Sequence, residues 1–277
     1  MSANPQRIHD IGTPQAAPVK ADTVSALERG IGILRCFNEQ TPALSHVELE
    51  RITGIPRPTV VRLVATLMAQ GLLRHAPGGE RFMLGAGIIS LARVFLSSLD
   101  VRAVARTPMQ DLADDLGGSL YLAIREGLDI VLIEACRARS SLLTPRLDVG
   151  SRAPLANSAL GRACLIAMPA SQRQRLLDSL AMGRGADWVQ SSAALGPALA
   201  AGRAAGYCLS IGEFHRDINS VAVPIIDAHG DVMAINFGGA AFDFPAERLI
   251  AEVAPRIVAL AESIAAQIGG RVATSPD

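Results

Sequence analysis

Aromatic side chains make up only 4% of this 277-residue chain, lysine occurs once, at Lys20, and the formal net charge is zero. A neutral chain has no global field to draw it to nucleic acid or a membrane, so any contact with a polyanion must come from a local cluster of cations. The four cysteines, Cys36, Cys136, Cys164 and Cys208, lie far apart, form no CxxC pair and have no histidine at ligand spacing. That argues for buried free thiols and against a zinc site or a disulfide framework. No apolar run reaches the about 18 residues that a membrane-spanning helix needs, and no basic start followed by an apolar stretch marks a secretory signal. HExxH and GxSxG are missing and the five histidines show no catalytic spacing, which removes the commonest metalloprotease and serine-hydrolase chemistries. The expectation is a cytoplasmic protein without metal, cofactor or catalytic residues.

What is present is a globular composition, 49% hydrophobic, in a chain long enough for two domains. Residues 1–22 carry Pro5, Pro14 and Pro18 with no periodic apolar face and read as a disordered arm. From 24 to 38, Leu27, Ile31, Leu34 and Phe37 recur at helical spacing and predict the first helix with its core face. Ser45 followed by Glu48 predicts a capping box opening a second helix that ends at Gly54. Pro56-Arg57-Pro58-Thr59 then opens a third, where proline is tolerated because first-turn N–H groups lack an intrahelical acceptor. Val60, Leu63, Val64 and Leu67 share one face of that helix, with Thr59, Arg62 and Thr66 opposite. Residues 72–75 and 81–84, joined by Pro77-Gly78-Gly79-Glu80, read as a two-stranded wing. The whole of 23–84 is thus a helix-rich winged helix-turn-helix.

Residues 85–100 predict a helix apolar around much of its circumference, a linker and dimerising element. From 101 to 268 strands and helices mix. Strands are expected at 119–125, 130–136, 142–148, 208–212, 221–226 and 231–238, and helices at 101–116, 159–167, 171–180, 192–205 and 246–268. Consecutive hairpins with flanking helices predict an α+β domain with a mostly antiparallel sheet. Residues 269–277 read as a flexible tail.

Ser25-Ala26-Leu27-Glu28-Arg29-Gly30, Gly54-Ile55-Pro56-Arg57-Pro58-Thr59-Val60, Gly71-Leu72-Leu73 and Phe82-Met83-Leu84-Gly85 resemble the N-terminal domain of IclR-family transcriptional regulators. Gly150-Ser151-Arg152-Ala153-Pro154-Leu155, Gly161-Arg162-Ala163, Gly206-Tyr207, Val221-Ala222-Val223-Pro224 and Asn236 ahead of Gly238-Gly239 resemble that family's effector domain. The resemblance spans 24–268. It implies a GAF-like sensing domain, a homodimer or dimer of dimers, and a branch of the family concerned with aromatic-acid degradation.

In a winged helix-turn-helix the second helix of the motif enters the major groove of double-stranded DNA by its N-terminal end. That places Arg57, Thr59 and Arg62 foremost, with first-turn N–H groups near phosphate. Arg74 and Arg81 lie on the wing, and Arg29 is a phosphate contact. Any one such arginine is as often a solvated surface residue; it is their arrival in the order cap, turn, proline-opened helix and wing that carries the reading. Dimers imply a pseudo-palindromic operator. By the resemblance, a small organic acid is held by Ala153, Ala159, Leu160, Ser210, Ser220, Asn236 and Gly238, and the helix at 85–99 relays its binding. The chain departs from familiar members at Ala156, Asn157 and Ser210. Two rivals stand beside this: an oligomeric small-molecule module that binds no DNA, and a nicotinamide-dependent enzyme suggested by Gly85-Ala86-Gly87, against which the third small residue is Ser90, the preceding element is a wing hairpin and no acid sits at the right distance.

Overall fold

The computed structural model describes residues 24–139 and 147–273, and the backbone alone of 183–192. The arm at 1–22 and nearly all of the strand expected at 142–148 lie outside the described residues. The chain divides into two compact units that meet between Ser98 and Leu99.

The first unit contains α1 (Ser25–Leu34), α2 (His46–Thr53), α3 (Arg57–Ala69), β1 (Leu73–His75), β2 (Phe82–Leu84) and α4 (Gly87–Ser97). The Ser45 hydroxyl accepts from the Glu48 N–H while the Glu48 carboxylate accepts from the Ser45 N–H, so the capping box is complete. Gly54 ends α2 at φ 68°, a left-handed conformation that only glycine adopts freely. β1 and β2 pair antiparallel, and Leu44 bridges to Phe82 as a third edge of the wing. Ile33, Leu49, Val60, Val64, Leu67, Leu73 and Phe82 form the core. The face expected of α1 is corrected: Leu27 and Ile31 are exposed, whereas Gly30 and Ile33 are buried. Two apolar stripes run along this helix, and Gly30 lets α3 approach on the second one.

The Gly85-Ala86-Gly87 triplet has a packing cause rather than a nucleotide one. A side-chain carbon on Gly85 would sit 2.2 Å from the Gly71 carbonyl oxygen, and one on Gly87 2.8 Å from it. Only bare backbone lets the chain leave β2 against the end of α3 and donate from Gly85 to Leu72 and from Gly87 to Gly71.

The second unit runs α5 (Asp100–Leu116), β3 (Ser119–Glu126), β4 (Asp129–Arg137), β5 (Arg152–Pro154), α6 (Ala159–Ala167), α7 (Ala170–Ala205), β6 (Cys208–His215), β7 (Ile218–Ile226), β8 (Val232–Ala240), α8 (Ala246–Arg248), a π turn (Leu249–Val253), α9 (Ala254–Gln267) and β9 (Arg271–Val272). The sheet is antiparallel throughout, in the order β5-β4-β3-β8-β7-β6, with β9 also on β7. α6 covers one face of the sheet and α5 with α9 the other. Three expectations are corrected. The helices expected at 171–180 and 192–205 are one continuous helix that runs through Pro197. Residues 152–154, expected to be loop, form an edge strand on β4. The expected tail contributes Arg271 and Val272 as a strand, reached through Gly270, where a side chain would meet the Ile226 carbonyl at 2.3 Å.

Candidate functional sites

α2, the turn at Gly54–Pro56 and α3 form the first site. Val60, Val64 and Leu67 anchor α3 in the core, so Arg57, Pro58, Val61, Arg62, Ala65 and Thr66 face outward. Arg29, Arg57, Arg62 and Arg74 are exposed, and Thr59 is half-buried. Arg81 is not free on the wing, because its guanidinium lies 2.5 Å from the Glu48 carboxylate. Hydrogen bonds to Ser45, with Arg81 adding to them, hold that carboxyl below its ordinary range. The first turn of α3 is also spoken for. The Arg57 N–H donates to Glu50 at 2.9 Å, Pro58 has no N–H, and the Thr59 N–H donates to the Pro56 carbonyl at 2.8 Å. The expected backbone contact with phosphate therefore has no donor left in that turn, and contacts from α3 fall to side chains. Val61, 42% exposed among polar neighbours, was missed from the sequence. Its signal was an apolar β-branched residue off the core stripe, suited to a thymine methyl.

The second site follows from strand register. Paired residues on adjacent antiparallel strands point to the same face. Arg137 pairs with Ser119, Ser119 with Gly238, Gly238 with Ser220, and Ser220 with Ser210. These five residues form one row across β4, β3, β8, β7 and β6. The next row is Ala135, Tyr121, Asn236, Ala222 and Cys208. Tyr121, Ala222 and Cys208 belong to the apolar cluster beneath α6, as do Ala159 and Leu160 from its first turn, so both rows face α6. Neighbouring strands lie about 4.8 Å apart, so Ser119 and Ser220 flank Gly238 at about 10 Å from each other.

The mouth of this row is built from α6. Ser158 caps the helix by accepting from the Gly161 N–H at 3.0 Å, and a side chain on Gly161 would strike the Leu155 backbone. Ser210 donates to the Asn157 carbonyl at 2.9 Å, tying the loop before α6 to β6. Arg162, 3% exposed, donates to the carbonyls of Ala156 and Leu209 and forms a two-pronged pair with Glu213. Of the residues expected at an effector site, Ser210, Ser220, Asn236 and Gly238 come together, with Ala159 and Leu160 over them. Ala153 does not join them. It pairs with Ile130, seven residues along β4 from Arg137 and so about 20 Å away.

Ser119, Tyr121 and Arg137 were missed from the sequence. Ser119 is fully buried, and among the described residues its hydroxyl makes no well-formed hydrogen bond, though it lies beside the Tyr121 phenol. Burial pushes the Tyr121 phenol up from its ordinary value, with Ser119 and Arg137 beside it partly opposing the shift. Arg137 donates to the Leu147 carbonyl and lies 3.4 Å from Asp148. Among the described residues, no group of three or more His, Cys, Asp or Glu side chains is placed to hold a metal, and no helix is long and apolar enough to cross a membrane.

The IclR helix-turn-helix domain model matches residues 26–77, and the bacterial transcriptional regulator IclR C-terminal model matches 94–266. The regulator TsaQ1/TsaQ2 of Comamonas testosteroni is 28% identical over 88% of both chains. The Pca regulon regulatory protein of Pseudomonas putida is 29% identical over 79% of this chain and 75% of its own. Among solved structures, an IclR-family regulator from Brucella abortus superposes with a TM-score of 0.80 at 37% identity, covering 89% of this chain and 94% of its own. An IclR homologue from Microbacterium hydrocarbonoxydans, complexed with 4-hydroxybenzoate, shares the fold with a TM-score of 0.70 at 22% identity, over 87% and 98%.

Proposed function

The chain belongs to the IclR family of bacterial transcriptional regulators, and from that premise we propose that it reads a pseudo-palindromic operator as a homodimer or dimer of dimers, with a small organic acid over Gly238 modulating the binding. As a family member it is a DNA-binding regulator and not an enzyme. The observation that carries the DNA half is the outward face of α3, where Arg57 and Arg62 stand exposed beside Val61 on a helix fixed by a buried stripe. Arg62 reads a base edge by a two-pronged hydrogen bond, guanine being its best partner, and Arg29, Arg57 and Arg74 contact phosphates. Thr59 contributes a shorter-range contact at the helix start, and Arg81 joins only on release from Glu48.

For the acid, the reading is supported by the polar row of Ser210, Ser220 and Gly238 with Asn236 beside it, beneath the Ala159–Leu160 turn of α6. An aromatic acid suits the apolar cluster around it, in keeping with the Pca regulator among the relatives and with 4-hydroxybenzoate in the Microbacterium homologue. An effector acts only if it binds the DNA-competent and incompetent states with unequal affinity.

The test is a fluorescence-anisotropy titration of the full chain on DNA flanking its own gene. Arg62→Ala should lower specific affinity by at least tenfold, about 1–3 kcal/mol for a lost two-pronged base contact, with unchanged thermal midpoint. Equal affinity of wild type for that DNA and a scrambled duplex would favour the DNA-free oligomeric module instead.

A further inference from the structure

Four of the five residues in the polar row carry neutral side chains or none; the fifth is a guanidinium. Its presence there has a structural cause. Along β3, Leu122 pairs with Glu134 while Ala123 pairs with Leu132, so Ile133 is an extra residue, a β-bulge. A bulge resets which face each later residue occupies. Before it, Ile130 and Leu132 face α6. After it, Glu134 faces α5, where Arg102 holds it at 2.9 Å, and Cys136 reaches the Arg106 carbonyl. Ala135 and Arg137 are turned toward α6. Had β4 alternated strictly through Ile133, with no bulge, Glu134 and Cys136 would face the row and Arg137 would not.

We propose that Arg137, with Ser119 and Tyr121, anchors the carboxylate of a planar aromatic monocarboxylic effector lying across Gly238. The proposal rests on the effector reading above and identifies the ligand class and the residue that selects it. Three features converge on it. Arg137 supplies a forked donor of the geometry a carboxylate fits. Its present partners are a backbone carbonyl and Asp148, an exposed carboxylate at 3.4 Å, which is weak competition for a ligand bound in the interior. Ser119 adds a fully buried hydroxyl that, among the described residues, has only the neighbouring Tyr121 phenol beside it and no well-formed hydrogen bond; an acid oxygen would complete it. Gly238 leaves the floor bare between Ser119 and Ser220. A side-chain carbon there would make only ordinary contacts, 3.8 Å to the Asn236 amide nitrogen and 3.9 Å to the Tyr121 ring. Packing within the chain therefore does not demand a glycine at 238, and bare backbone there suits a flat ring lying across it. Ser220, about 10 Å from Ser119 across Gly238 by strand spacing, is left to meet a hydroxyl on the far side of the ring.

Calorimetric titration of the full chain with benzoate, 4-hydroxybenzoate, their carboxamides and succinate tests this. The proposal expects at least one aromatic acid to bind, and its carboxamide and succinate to bind at least tenfold more weakly. Arg137→Gln should weaken the acid tenfold or more and leave the carboxamide unaffected, with Arg137→Lys recovering part of the loss. Ser119→Ala should leave the unliganded thermal midpoint unchanged or higher, yet weaken the acid several-fold. Gly238→Ala should do the same by filling the floor. Acid and carboxamide binding alike, tighter binding of succinate, or full acid affinity in folded Arg137→Gln would overturn the anchor while leaving an effector site in place. Absence of binding by every probe would overturn the effector reading and the anchor together.

Discussion

At the scale of single residues, burial decides what each reactive group can do. The thiols of Cys164 and Cys208 are pushed up to about 12 and that of Cys136 to about 11, in each case chiefly by burial. Cys36 is raised more modestly, by the same cause. A raised thiol pKa means the neutral S–H persists at physiological pH, and only the thiolate is nucleophilic. Cys164 and Cys208 lie in the cluster beneath α6, next to the proposed acid site. Ellman's reagent at pH 8 should modify Cys136, Cys164 and Cys208 at least a hundredfold more slowly than a free thiol, and all four cysteines should react at once in guanidinium chloride. Fast native modification of Cys164 and Cys208 would show that α6 does not cover the sheet as described.

At the scale of elements, the features read correctly from the sequence were those set by neighbours within a turn. The Ser45–Glu48 cap, the Gly54 stop and the proline-opened α3 are local, and each is present. The effector row was partly legible by resemblance, through Ser210, Ser220, Asn236 and Gly238. Arg137 and Ser119 were not legible because their faces depend on pairing partners up to 120 residues away and on a one-residue bulge that periodicity does not reveal. Ala153 lies apart from the row for the same reason: an edge strand's register is not written in its own residues. α1 went wrong differently, since its two apolar stripes fit one period equally well and only the approach of α3 chooses between them. Glu48 shows how a local device acquires a second role. It caps α2 through Ser45 and also holds Arg81 on the wing. Ser45→Ala should cost about 1 kcal/mol of stability, read by chemical denaturation. Glu48→Gln should weaken the cap too, yet bind a scrambled duplex more tightly, because it frees Arg81 and removes a negative charge from the DNA face. Weaker nonspecific binding by Glu48→Gln would place Arg81 outside the interface.

At the scale of the whole molecule, the neutral net charge makes assembly part of DNA recognition. Between residues 24 and 84 seven arginines (29, 35, 51, 57, 62, 74 and 81) face five acids (28, 39, 48, 50 and 80), a net of +2 per chain. One such unit attracts DNA weakly, so the proposed dimer would draw its specific affinity from two units held on two half-sites. The surface that joins them needs an apolar face that a single chain leaves uncovered, and α4 offers one: Ile89, Leu91, Val94 and Phe95 are each 47–69% exposed, with no residue of the helix buried. Leu91 and Phe95 lie one turn apart on the same side, so Leu91→Glu with Phe95→Glu charges that face without disturbing a core. If α4 joins the chains, sedimentation should show the double variant as a monomer with an unchanged far-ultraviolet spectrum. The salt dependence should shift in step. With Arg29, Arg57 and Arg74 from each chain on phosphates, the slope of log affinity against log salt is about −5, and about half that for one chain. A double variant that remains a dimer and keeps the full slope would move the interface away from α4 to another exposed apolar surface, such as the stripe of α1 at Leu27 and Ile31.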